Sequence, residues 1–138
     1  MKRMSGLDAS FLYMEAPTMH MHIVGVVLLE SVNENRVVGF DDVLRALDER
    51  LHLIPPLRRR MVAPLAGVDH PIWIEDPDFD LRNHVRPFPG QTPVSWQSLE
   101  KFVGEVSSRQ LDRARPLWEM WIVEGVEGRS TAIVTKLH

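Results

Sequence analysis

The C-terminal end of the chain is Thr131-Ala132-Ile133-Val134-Thr135-Lys136-Leu137-His138. Its β-branched and apolar residues predict a buried β-strand. Alternation along a strand places Val134, Lys136 and His138 on one face. A histidine at the end of a buried strand is well placed to act as a base, because imidazole titrates near neutral pH. A terminal histidine without a chemical role is the alternative.

A second strand is predicted just upstream, over residues 117–123, and Gly125 and Gly128 mark a turn between the two. We therefore expect an antiparallel hairpin. The segment Pro116-Leu117-Trp118 lies where a helix stops and this strand begins. Its aromatic and apolar side chains favour a structural role in the core.

The rest of the chain contains helical and extended patterns in alternation. Apolar residues at helical spacing predict amphipathic helices over 40–51 and 95–111, and one or two helical turns over 6–15. Residues 21–30 are apolar on both faces, which predicts a strand covered on both sides. A polar loop or hairpin is expected over 31–39, and short extended stretches over 57–64, 72–75 and 81–88. The fold class is therefore mixed α/β.

Composition excludes several classes of protein. The chain has 138 residues, a net charge of −3 and no cysteine. The length suits one domain, and the acidic balance argues against nucleic-acid binding. Without cysteine there is no disulfide scaffold, thiol nucleophile or thiolate-bound zinc. Asp8 and Glu15 interrupt any N-terminal signal peptide, and the apolar run over 23–29 is too short to span a bilayer.

Two further groups of residues are candidate binding sites. Arg58, Arg59 and Arg60 form a basic run that suits a phosphate or an anionic lipid, or is simply a solvated strand edge. His20 and His22 share a strand face and could form half of a metal site, but no third ligand lies at a suitable spacing. We therefore predict no metal.

Five motifs occur in an order that resembles one known family. They are Met4-Ser5-Gly6-Leu7-Asp8-Ala9-Ser10-Phe11-Leu12, Pro55-Pro56-Leu57-Arg58, Trp73-Ile74-Glu75-Asp76-Pro77-Asp78-Phe79-Asp80-Leu81 with His84-Val85, Leu111-Asp112-Arg113 to Pro116-Leu117-Trp118-Glu119, and Thr135-Lys136-Leu137-His138. In this order they resemble the bacterial wax ester synthase/diacylglycerol acyltransferases, and within that family the actinobacterial triacylglycerol synthases. The resemblance covers essentially the whole chain.

The resemblance implies a fold and a reaction. The fold is that of the chloramphenicol acetyltransferase-like acyltransferases, in which two α/β domains, each a mixed sheet flanked by helices, face each other across a channel. The reaction transfers a fatty acyl group from acyl-CoA to diacylglycerol or a long-chain alcohol. The family motif is His-His-x-x-x-Asp-Gly, and its second histidine is the general base. His138 aligns with the first, so the base lies beyond this chain. Pro116, Leu117 and Trp118 match a motif whose role is structural.

These matches lead to expectations about the chain as a whole. Residues 1–138 are expected to be an incomplete N-terminal domain, inactive alone and completed by the C-terminal remainder of the same protein. No cofactor is expected, because acyl-CoA is a substrate. The expected location is the cytoplasm, with peripheral contact to membranes or lipid droplets and none with nucleic acid. The residues that bind substrate are not identified. A non-catalytic lipid-binding module, or an acyltransferase with another acceptor, is the alternative.

Overall fold

A computed structural model of the chain describes residues 1–31, 36–64 and 69–138. The part of the predicted loop at 32–35 lies outside the described residues. Seven strands and three α-helices make up the regular structure of the described residues. They are β1 (Lys2–Arg3), α1 (Gly6–Met14), β2 (Ile23–Glu30), α2 (Phe40–Arg50), β3 (Arg59–Val62), β4 (Ile72–Glu75), β5 (Val85–Pro87), α3 (Trp96–Ser107), β6 (Trp118–Val126) and β7 (Ser130–Leu137).

The main sheet has four strands in the order β2-β7-β6-β5. β7 pairs antiparallel with both β2 and β6, while β5 pairs parallel with β6. The predicted hairpin is confirmed. Gly128 lies in its turn and Gly125 in the irregular end of β6, with φ of 81° and 72°. Glycine adopts this left-handed region without steric cost. β7, the strand that ends beside His138, is interior to the sheet, between β2 and β6.

Two amphipathic helices cover opposite faces of this sheet. α3 buries Leu99, Phe102 and Val106 against Trp121 and Val134. On the other face, α2 buries Val43 and Leu44 in a cluster that includes Trp118 and Ile122. The alternation of side chains along β6 explains this division, because Trp118 and Ile122 point to one face and Trp121 to the other.

A smaller sheet, in the order β1-β4-β3 and antiparallel throughout, lies beside the first. α1 fills the space next to it. Ala9 and Leu12 of α1 join Met4 and Leu117 in a third buried cluster, against which Trp73 of β4 packs. Ser5 begins α1 by accepting the backbone N–H of Asp8, at 3.1 Å. Leu117 thus connects the small sheet to the start of β6.

The prediction that β2 is covered on both sides is wrong. β2 is an edge strand, and the side chains of Ile23 and Val27 are 77% and 53% exposed. The run of β-branched residues predicts the strand correctly. However, an apolar run does not specify which neighbours cover it, because coverage depends on distant elements of the fold.

Two of the predicted extended stretches also begin differently. Pro55–Arg58 and Leu81–Asn83 are short 3₁₀ turns, and the strands start after them. Proline at the start of a turn has a pre-set φ, which favours the first of these. Asp80 favours the second, since its carboxylate accepts the backbone N–H of Arg82 at 2.9 Å.

α3 ends at Ser107, earlier than the predicted residue 111, because side chains from other elements bind its last carbonyl groups. The Lys136 ammonium donates to the carbonyls of Val106 and Arg109, at 2.9 and 2.8 Å. His22 and His20 contact the two carbonyls between these, those of Ser107 and Ser108, at 2.9 and 3.0 Å. We call Lys136, His22 and His20 the α3 clamp.

The α3 clamp supplies the hydrogen bonds that a helix cannot make for itself. The last carbonyls of a helix have no partner within it and carry a partial negative charge. Lys136 is only 1% exposed, and it also forms an ion pair with Glu119 at 2.7 Å. The clamp therefore fastens β7 and the segment before β2 to the same helix end.

Replacing Lys136 tests the clamp. We expect Lys136→Met to lower the free energy of unfolding by about 3 kcal/mol, because the mostly buried carboxylate of Glu119 loses its ion-pair partner and two carbonyls lose a charged donor. Urea unfolding followed by tryptophan fluorescence measures the change. Lys101→Met is the control, since Lys101 is an exposed lysine of α3. Equal effects of the two substitutions would contradict the clamp.

Candidate functional site

His138 is fixed in place where β7 ends. Its backbone N–H donates to the carbonyl of Leu117 at 3.1 Å, which continues the pairing with β6 by one residue. The side chain is 8% exposed, and its Nε2 is buried without a hydrogen-bond partner among the described residues. The predicted alternation is confirmed, because Val134 and Lys136 on the same face are buried as well.

Glu15 is the acid next to His138, and the sequence did not identify it. Its Oε2 lies 3.9 Å from Nε2 of His138, and its side chain is 4% exposed. Arg113 holds this carboxylate through an ion pair and also donates to the carbonyl of Leu12, at 3.0 Å. Glu15 follows α1 and Arg113 lies 98 residues later, so neither spacing nor periodicity connects them.

Burial determines the charge of His138. It lowers the pKa of this histidine below the ordinary 6.5; Glu15 opposes the shift, while Arg113 and His22 add to it. Burial likewise lowers the pKa of His22. The lowered pKa values keep His138 and His22 mostly neutral at pH 7. Below pH 6.5 the unfolded chain binds more protons at these histidines than the folded chain does. Their burial therefore makes the folded state less stable as the pH falls through that value.

His20 and His22 are neighbours, and both contact the end of α3 through Nε2. Their rings stack with centroids 5.3 Å apart. A carbonyl oxygen only accepts, so each Nε2 carries the hydrogen that it gives to α3. In the neutral ring, Nδ1 is then the free acceptor, and both Nδ1 atoms are buried without a partner. Among the described residues, no group of three or more metal-ligating side chains is close enough to hold an ion.

Two cavities meet at His138. The first, of about 400 Å³, is mostly apolar and is lined by Phe11, Leu12 and Ile23 together with the three histidines. We call it the histidine cavity. The second, of about 260 Å³, has Lys2 and Arg59 on its wall, and we call it the cation cavity. Both are lined by Trp73, Leu137 and His138, so these three residues form the boundary between them.

The Pro-Leu-Trp motif lies next to this boundary. Leu117 and Trp118 are buried and line the cation cavity. The indole N–H of Trp118 donates to the carbonyl of Leu57 at 2.7 Å. His84 stacks on the same indole, with ring centroids 4.7 Å apart, and its Nδ1 contacts the carbonyl of Trp118 at 2.8 Å. Burial lowers the pKa of His84.

The basic run does not form a continuous patch. Arg58 pairs with Glu75 at 3.9 Å and Arg60 with Asp76 at 3.4 Å, whereas Arg59 points to the cation cavity. A separate groove, of about 690 Å³, lies beside α2 and is lined by both acids and arginines. It shares no lining residue with the two cavities at His138. Arg58, which lines this groove, is adjacent in sequence to Arg59, which lines the cation cavity.

The electrostatic role of Glu15 can be tested by titration. We expect Glu15→Gln to lower the pKa of His138 further, because the carboxylate favours the protonated ring. NMR titration of the histidine ring signals measures this pKa. Glu100→Gln, at an exposed position of α3, should leave it unchanged. A rise in the pKa of the Glu15→Gln variant, in a chain that retains its circular dichroism, would contradict this role.

Comparisons with known proteins agree with this architecture. The wax ester synthase/diacylglycerol acyltransferase catalytic domain model matches residues 4–138. A putative diacylglycerol O-acyltransferase of Mycobacterium tuberculosis H37Rv is 38% identical over 138 residues, which are all of this chain and 29% of that protein. The chain therefore spans less than a third of this relative.

Solved structures show the same fold. The wax ester synthase/diacylglycerol acyltransferase from Marinobacter aquaeolei VT8 superimposes with a TM-score of 0.78 at 30% identity, over all of this chain and 33% of its own. A condensation domain of the enacyloxin polyketide synthase, 16% identical, has a TM-score of 0.61 over all of this chain and 27% of its own. The α/β acyltransferase fold expected from the sequence is thus confirmed, and the chain belongs to the wax ester synthase/diacylglycerol acyltransferase family.

Proposed function

We propose that this chain forms one side of an active site that transfers a fatty acyl group from acyl-CoA to the hydroxyl of diacylglycerol or a long-chain alcohol. The observation that carries the proposal is the position of His138. It ends an interior strand, and it lies on the boundary between an apolar cavity and a cavity with two cations. An acyl thioester and a lipid alcohol both need apolar space next to the reacting atoms.

The reaction needs a base beside the hydroxyl. An alcohol is a poor nucleophile at neutral pH, so its proton must be removed as it attacks. The alcohol oxygen forms a bond to the thioester carbon, the carbon–sulfur bond breaks, and the proton passes through the base to the departing thiolate. No acyl-enzyme is required, and no cofactor takes part, because acyl-CoA is itself a substrate.

His138 fits the first histidine of the family motif, and we assign it a positioning role. Its ring is buried and neutral, with Glu15 at 3.9 Å. The second histidine of the motif, which would follow it, is the base in this proposal. The remainder of a longer polypeptide would supply this base and the second wall of the channel. The Mycobacterium tuberculosis relative is more than three times as long, which agrees with such a partner.

The lipid substrate suggests a location at a membrane or lipid-droplet surface. Within residues 1–31, 36–64 and 69–138, none of the helices has the length and apolar character needed to cross a bilayer. α1 nevertheless exposes Leu7, Tyr13 and Met14. Exposed apolar side chains on one short helix suit peripheral contact with a lipid surface.

A chimera tests the proposed activity. Residues 1–138 would replace the matching third of the Marinobacter wax ester synthase, and ester formation from palmitoyl-CoA with 1-hexadecanol or diolein would be measured. We expect turnover by the chimera and none by the 138-residue chain alone, since that chain lacks the proposed base. His138→Ala in the chimera should reduce kcat by about 10-fold or more, because the neighbouring base loses its support.

Two controls make the test decisive. The chimera must melt cooperatively, so that loss of activity is not loss of folding. His52→Ala removes an exposed histidine far along the sequence and should leave activity unchanged. Turnover by the isolated chain would refute the assignment of the base outside it, and a folded chimera without turnover would refute the proposed function.

A further inference from the structure

Each outer strand of the small sheet carries neighbouring cationic side chains, of which some pair with an acid and one does not. In β1, Arg3 forms an ion pair with Asp69, whereas Lys2 has no acid within ion-pair distance among the described residues. In and before β3, Arg58 and Arg60 pair with Glu75 and Asp76. Arg59, between them, has no such partner in the described part of the chain. The structure therefore leaves one cation from each outer strand unneutralised.

These two cations lie on the same face of the small sheet. The register pairs Lys2 with Trp73 and Trp73 with Met61, so these three side chains share a face. Arg59 lies two residues from Met61 on the same strand and points the same way. This face borders the cation cavity, and of the described residues that line the cavity only Lys2 and Arg59 carry a full charge.

We propose that the cation cavity binds a phosphate group through Lys2 and Arg59, with the rest of the ligand extending past Trp73 and Leu137 to His138. Arginine and lysine are the usual side chains for phosphate, because they donate charge-assisted hydrogen bonds. The apolar wall suits an uncharged arm next to that phosphate. Of the acids near these cations, Asp69 and Asp76 pair with Arg3 and Arg60. Glu75, which the register places opposite Arg59, lies 3.9 Å from Arg58.

Two kinds of ligand would present this chemistry. One is a soluble nucleotide thioester such as acyl-CoA, whose phosphates lie at the end of a flexible arm. The other is the headgroup of an anionic phospholipid. The identification with acyl-CoA rests on the proposed function, but the phosphate site does not, since binding is measured without turnover.

Binding to the 138-residue chain tests the site. Isothermal titration calorimetry with coenzyme A and with 3′,5′-ADP measures binding of the soluble ligand. Sedimentation with phosphatidylglycerol vesicles, compared with pure phosphatidylcholine vesicles, measures binding of the anionic lipid. The double substitution Lys2→Met/Arg59→Met is expected to weaken binding of the phosphate ligand at least about 10-fold. Arg129→Met/Lys101→Met removes the same charge elsewhere, from two exposed residues outside the cation cavity, and should change binding less than about 2-fold.

The outcomes separate the ligands. Coenzyme A binding that depends on Lys2 and Arg59 supports the site and its identification with the thioester. Binding only to phosphatidylglycerol vesicles, with the same dependence, supports the phosphate site and refutes the thioester identity. Absence of both kinds of binding, or equal losses in the two double variants, would overturn the proposal. A failed chimera with intact coenzyme A binding would overturn the proposed function alone.

Discussion

The arrangement of the site depends on the carbonyl groups at the end of α3. A helix end buried against a sheet is costly unless its carbonyls find donors. Here one lysine and two histidines provide them, from β7 and from the segment before β2. Because these donors come from two separate elements, satisfying one helix end also fixes the strand that leads to His138 and the wall of the histidine cavity.

Burying Lys136 is tolerable only because its partners are so closely placed. A lone ammonium at 1% exposure would be costly because it loses its hydration, but Lys136 has one carboxylate and two carbonyls within 2.9 Å. Such a group contributes specificity of position more than net stability. The lysine is two residues from His138 on the same strand face, so the fixed point of the strand is close to the residue whose position matters.

The sequence predicted the elements much better than their neighbours. The amphipathic pattern at Phe40–Arg50 and the glycines of the β6–β7 turn act locally, and both predictions were confirmed. The coverage of β2 depends on distant elements, and its prediction was wrong. Similarly, the histidine at the end of β7 was recognised from its strand, whereas Glu15 was missed because only the folded chain brings it to His138. The run of arginines appeared as one motif, but strand alternation divides it between two faces.

The separation of Arg59 from Arg58 and Arg60 shows how a weakly charged protein can still present a local cation site. The net charge is −3, so no general attraction for phosphate exists. Neutralising Arg3, Arg58 and Arg60 with nearby acids removes the diffuse positive field and leaves two cations beside a single cavity. Histidines that burial keeps neutral add no competing charge at the junction. Both cations thereby lie on one of the two cavities. The cavity on the other side of His138 has Asp8 on its wall but is mostly apolar, and it remains suited to a hydrocarbon chain.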